Sequence, residues 1–244
     1  MTEILIDTNR PEVKSAVVYA PFDEAKKLLE DKGYSIISLE EIATLRILEG
    51  PLADISKTAS RTREGFLYVP GKGSFITKKS PIMQNPVEAR REHRAERQYF
   101  LTDEQVGQSL EDSVQISEKP ENLMIPTDRF GKNEITKYLF GRIAGQYGRF
   151  LRRNDVTEMP IWASDAQSIL SDRPFARQMN IGNLVPMSDR SGLSGDWDDP
   201  KYGDLGRELR GIYKQPEKAN RFFAKLPEEI ELSGSQIKLG VEKI

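Results

Sequence analysis

The sequence predicts an α+β fold: a small N-terminal sheet with a βαβ-like start and a hairpin, followed by a helix-rich, loop-rich remainder. Three observations carry this expectation. Strand-like and helical patterns alternate between residues 13 and 39, a turn rich in Gly and Pro joins two β-branched or aromatic runs at 65–77, and helix-capping signals recur through the middle third.

Taken in order, VKSAVVYA (13–20) reads as a strand, FDEAKKLLEDKGY (22–34) as an amphipathic helix stopped by Gly33, and SIISL (35–39) as a second strand. The helix between the two strands makes parallel pairing the expected arrangement, although it is short for a crossover. EEIATLRIL (40–48) continues as a helix with Ile42 and Leu45 toward the sheet. Residues 49–63 carry weak signals. In GFLYVPGKGSFIT (65–77) the Pro70-Gly71-Lys72-Gly73 run supplies turn dihedrals for a hairpin. A phosphate-binding loop fails there, because Gly65 is misplaced, Gly73 stands where Ser or Thr is needed and a strand follows.

Asn85-Pro86-Val87-Glu88 opens a helix with Asn85 as N-cap, and Thr102-Asp103-Glu104-Gln105 is a capping box. Residues 116–133 hold two prolines and no period. They divide an α/β part (1–115) from a mainly helical part (134–244) with a terminal hairpin as an option, a single domain being the alternative. The run 134–154 is expected as one long helix. Beyond it, short helices are expected at Ser164-Asp165-Ala166-Gln167, 173–179, 205–213 and 217–226. A final strand is expected around Ile237, Leu239 and Val241, turned by Ser233-Gly234-Ser235.

Composition excludes whole chemistries. The chain has no cysteine and a single histidine, His93, so thiolate catalysis, disulfides, cysteine zinc sites and multi-histidine metal centres are absent. Lys and Arg total 36 against 38 Asp and Glu, so bulk positive charge cannot drive nucleic-acid binding and only a local patch is left to do so. No apolar run approaches the ~20 residues that span a bilayer, and the N-terminal residues lack the basic start of a signal peptide. These features make a soluble, cytoplasmic, cofactor-free protein the expectation.

Two basic features remain. On a helical wheel at ~100° per residue, Arg90, Arg91, Arg94 and Arg97 form one stripe and Glu88, Glu92 and Glu96 another. Like charges then sit four apart and repel mildly, so each stripe calls for an oppositely charged neighbour. That neighbour is either an acidic loop of the same chain, such as 103–112 or 196–204, or an external anion. His93 reads as a helix-surface residue. In 134–154, Ile135, Leu139, Ile143, Tyr147, Phe150 and Leu151 make an apolar face, opposite Arg142, Arg149, Arg152 and Arg153. Gly141, Gly145 and Gly148 share the basic side. At ~1 kcal/mol each relative to alanine, they call for close packing of a neighbouring segment, for approach of a sugar-phosphate backbone beside Tyr138, or for a kink near Gly145.

Asp196, Asp198, Asp199 and Asp204 form an oxygen-rich loop, a weak metal candidate that departs from the EF-hand pattern and is explained by turn formation. Trp162 and Trp197 read as packing anchors. The function expected is a binding or assembly protein contacting an anionic partner, nucleic acid or an acidic protein surface. Arg90, Arg94, Arg97, Arg142, Arg149, Arg152 and Arg153 are the contact residues. The alternatives are an enzyme clamping a phosphorylated or nucleotide-like substrate with arginines and the Asp-rich loop, and a homo-oligomer paired through charge.

Overall fold

The computed structural model describes residues 4–9, 13–95, 98–117, 123–162, 171–184, 192–195 and 208–214. Its frame is one mixed sheet with twelve strands among these residues, whose main path runs β1-β2-β12-β4-β10-β11-β9-β8. The strands are β1 (Ile4–Asn9), β2 (Val13–Val18), β3 (Ser35–Ile36), β4 (Ser60–Val69), β5 (Gly73–Thr77), β6 (Tyr99–Phe100), β7 (Ser113–Ser117), β8 (Leu123–Pro126), β9 (Glu158–Trp162), β10 (Phe175–Ile181), β11 (Leu193–Ser194) and β12 (Glu208–Lys214). The eight helices described are α1 (Phe22–Asp31), α2 (Leu39–Glu49), α3 (Asp54–Lys57), α4 (Pro81–Gln84), α5 (Pro86–Arg94), α6 (Asp103–Leu110), α7 (Glu134–Phe140) and α8 (Ala144–Arg153).

The expected mixture of helices and strands is present, but the sheet is large and draws on strands from residue 4 to residue 214. The parallel pairing expected between the first two strand runs does not form. β12 lies between them, antiparallel to β2 (Gly211 opposite Ala16) and to β3 (Gly211 opposite Ile36). A helix is therefore the crossover, but a strand from 190 residues downstream fills the gap it spans. The 65–77 hairpin forms as expected, with Val69 opposite Gly73 and both Gly71 and Gly73 at positive φ. β4 also reaches upstream to Ser60, into the segment with weak signals.

The helices expected at 173–179 and 205–213 are strands, β10 and β12. All seven residues of β10 are buried, because it sits centrally between β4 and β11 with layers on both faces. A strand covered on both sides loses the apolar–polar alternation that identifies it in a sequence. The same holds for β12, where Leu209, Arg210 and Ile212 are all nearly inaccessible.

Two apolar layers cover the sheet. Adjacent residues of β4 enter different layers, Phe66 with α2, α7 and α8, and Leu67 with α1, α4 and β6. α1 ends at Asp31, and the chain turns away at Gly33, whose φ of 81° only glycine adopts without strain. Ser38 and Glu41 close a capping box at the start of α2, and Thr102 with Gln105 closes the expected one on α6. Asn85 occupies the N-cap position of α5 but its side chain makes no cap hydrogen bond; the amide donates to the Pro81 carbonyl instead. The box expected at 164–167, the helix at 217–226 and the strand at 237–241 lie outside the described residues.

Polar groups close a fault in this frame. The β4–β10 ladder shifts register between Gln178 and Asn180, leaving β4 carbonyls without strand partners. The Gln178 side-chain amide donates to the carbonyls of Thr62 and Glu64 there. Beside it, the buried Glu64 carboxyl accepts from the Leu39 N–H at 3.2 and 3.3 Å, tying the middle of the sheet to the first turn of α2.

Candidate anion-binding surface

The expected helix 134–154 is two helices. Asn133 caps α7, its side chain accepting from Thr136 N at 3.1 Å. The helix stops at Gly141, where φ is 54° and ψ −139°, and a 3-10 turn (Gly141–Ile143) re-aims the chain into α8. The break is thus at Gly141 and not at Gly145. A Cβ on Gly141 would also lie 2.5 Å from a carboxylate oxygen of Glu40, so α2 occupies the space a side chain would need.

α8 buries Ala144, Tyr147, Gly148 and Leu151, a spacing that places one face inward. Tyr147 packs between Phe130 and Phe140, with centroids 6.4 and 4.9 Å away, and its hydroxyl accepts from buried Arg46 at 3.1 Å. Gly148 is where residues 127–130 cross the helix. A Cβ there would clash with the Thr127 carbonyl oxygen and lie 2.8 Å from Phe130 Cβ. The glycines are therefore explained by close packing of a neighbouring segment, and the surface at Gly148 is closed to a sugar-phosphate backbone. Gly148→Ala is expected to cost about 2–3 kcal/mol by overpacking. Gly107→Ala in α6, where nothing lies within 4 Å of the added carbon, is expected to be neutral or to gain up to ~1 kcal/mol. Urea midpoints of the two variants check this; equal effects would contradict the packing account.

With that face committed inward, Arg149, Arg152 and Arg153 project outward, and Arg142 does so from the 3-10 turn; all four are exposed. The crossing segment adds Arg129 and Lys132. Gly131 on that segment meets Gly145 closely, a Cβ on Gly131 falling 3.2 Å from Gly145 Cα, and Arg149 Nη1 lies 3.9 Å from the corresponding position on Gly145. Among the described residues, none of these six cationic side chains makes an ion pair or hydrogen bond. Lys137 does, with Glu134 at 2.8 Å. Asp128 and Asp155 are the remaining carboxylates between 128 and 155, so this segment carries seven Lys and Arg against three Asp and Glu in a chain of net charge −2. Attraction to the helix C-terminus accounts for Arg152 and Arg153 in the last turn. It offers nothing to Arg142 at the other end.

The other arginine run behaves differently. Arg90 lies against α1, where its guanidinium pairs with Asp23 at 2.7 Å and Glu24 at 2.9 Å, and its side chain is only 12% exposed. Arg91 pairs with Glu88 and Glu92 on its own helix. Arg94 is exposed in the last turn of α5, His93 beside it is half-buried, and Arg97 lies outside the described residues. The acidic neighbour of Arg90 is thus internal. It comes from α1, which neither loop considered from the sequence contains. Asp23 and Glu24 are first-turn acids of α1, and nothing in their own segment marks Arg90 as their partner.

Tyr138 turns away from the arginine face. Its hydroxyl donates to the Asp112 carbonyl at 2.6 Å and accepts from Lys78 N at 2.9 Å, and burial pushes its ionisation upward. Trp162 ends β9 half-buried, and its carbonyl accepts from Gly195 N. Asp196, Asp198, Asp199, Asp204 and Trp197 lie outside the described residues. Among those described, no group of three or more Asp, Glu or His is arranged to hold a metal, and no helix is long and apolar enough to cross a membrane.

The path of the chain has a counterpart among solved structures. One described as accommodation of massive sequence variation in Nanoarchaeota by the C-type lectin fold superposes with a TM-score of 0.57, over 85% of this chain and 99% of that one, at 15% identity. The fold is C-type lectin-like. No protein-family model matches the sequence, and no curated protein does.

Proposed function

We propose that this protein is a binding protein, without chemistry of its own, that docks an anionic macromolecule on the exposed arginine face of α8. The supporting observation is the contrast between two arginine sets. Arg90 and Arg91 have carboxylates within the chain, whereas Arg142, Arg149, Arg152 and Arg153 stand exposed with none among the described residues. Exposed like charges at three- and four-residue spacing repel, and an external anion relieves that repulsion. The neighbour's C-type lectin fold is described as accommodating massive sequence variation. A scaffold of that kind lets a surface such as α8 specialise without altering the sheet beneath it. Arg90, by contrast, joins α5 to α1, and Arg91 pairs within α5.

The test is binding of fluorescent polyanions, duplex DNA and polyglutamate, at ~50 mM salt where electrostatic association is strong. The variant carrying Arg142→Gln, Arg149→Gln, Arg152→Gln and Arg153→Gln is expected to lose at least tenfold in affinity. Arg91→Gln is expected to bind like the parent. If the parent binds no polyanion at that salt, or the fourfold variant binds as well as the parent, the reading is wrong.

A further inference from the structure

We infer that the anionic partner is the phosphate backbone of a nucleic-acid duplex, bound without regard to base sequence; this rests on the arginine face being the binding surface. An acidic protein partner is the competing class, and the surface lacks what such an interface needs. Stable protein interfaces are centred on buried aromatic or aliphatic anchors inside a polar rim. Among the described residues, no large apolar side chain between 128 and 155 is exposed; the nearest exposed one in sequence is Met124. Guanidiniums beside Gly131 and Gly145, which pack against each other, offer charge and hydrogen-bond donors with no apolar centre. Phosphates are met in that way, since their contacts position a protein through charge and hydrogen bonds alone.

The aromatic residues decide between duplex and single strand. Proteins that hold single strands stack bases on exposed rings. Here Phe130, Phe140 and Tyr147 are buried, Phe150 stacks on Tyr147 with centroids 6.1 Å apart, and Tyr138 is held by Asp112 and Lys78. Among the described residues, no aromatic ring between 128 and 155 is exposed. Arg149, Arg152 and Arg153 lie within about 6 Å along α8 at ~1.5 Å per residue, placed to follow one row of phosphates, and Arg142 adds a separate contact from the 3-10 turn before the helix.

The experiment is a salt series from ~50 to ~300 mM with the full chain. The probes are two labelled duplexes of unrelated sequence, as DNA and as RNA, one single strand of the same length, and polyglutamate of matched charge. The expected result is equal affinity for the two sequences, tighter binding of duplex than of single strand or polyglutamate, and a slope of log K against log salt near −3.6 for four phosphates. Each single Arg→Gln change is expected to reduce the slope by about 1. Polyglutamate bound as tightly as duplex, a preference for the single strand, or a slope unchanged in the fourfold variant overturns the duplex assignment while leaving the arginine face as an anion site or relocating it. Absence of binding to every probe overturns both readings.

Discussion

Replacing Arg46 with alanine is expected to lower the unfolding free energy by about 3–5 kcal/mol, the largest effect of any single change discussed. Arg46 is 1% exposed on α2. Its Nε donates to the Ile55 carbonyl at 2.9 Å, Nη1 to the Tyr147 hydroxyl at 3.1 Å, and Nη2 to the carbonyls of Gly182 at 2.8 Å and Thr58 at 3.4 Å. One guanidinium therefore joins α2, α3 and the residue after it, the end of β10 and α8. Alanine leaves a cavity and strips those buried acceptors of a charged donor, and each such loss is costly in a dry interior. Urea unfolding of Arg46→Ala checks this, and a loss below about 1 kcal/mol would contradict the network. Because Tyr147 anchors the inward face of α8, the same variant is expected to loosen the helix that carries the exposed arginines.

The second large effect is a dependence on pH centred on Glu64. Burial, opposed by nearby Arg63, raises its carboxyl from the ordinary 4.5 to about 7. In the unfolded chain the group ionises near 4.5; in the folded protein it holds its proton until about 7. Between those values the native state binds the extra proton, so stability falls as pH rises through the window and the cost is constant above it. At ~1.4 kcal/mol per tenfold difference in proton affinity the full cost is about 3 kcal/mol. Glu64→Gln keeps an oxygen for the Leu39 N–H and removes the ionisation. The variant is expected to match the parent near pH 4 and to exceed it by up to about 3 kcal/mol at pH 8. Denaturant titrations at pH 4, 6 and 8 read the difference; a difference independent of pH would show that the carboxyl titrates normally.

Both groups illustrate what a sequence hides. Arg46 and Glu64 look like ordinary surface charges in EEIATLRIL and SRTREGFLYV, because nothing local marks a buried ion whose partners lie as far as 136 residues away. The two arginine runs are the functional version of the same problem. The pattern made both legible as segregated charge, yet Arg90 found Asp23 and Glu24 across 67 and 66 residues while the α8 arginines found no partner among the described residues. Periodicity shows which charges share a face; it carries no information about what the fold sets opposite that face.

The sequence by itself determined the elements whose signals are local. α1 with its Gly33 stop, the β4–β5 turn and the Thr102 box each depend on dihedrals and hydrogen bonds within a few residues. So does the amphipathy of α8, which turned its arginines outward. Tertiary structure decided the rest. Strands β10 and β12 are strands because their positions in the middle of the sheet bury both faces and satisfy their backbone groups through distant partners, Tyr68 opposite Phe175 and Val18 opposite Leu209. Their own residues also allow a helix, and only the neighbours supplied by the sheet remove that choice.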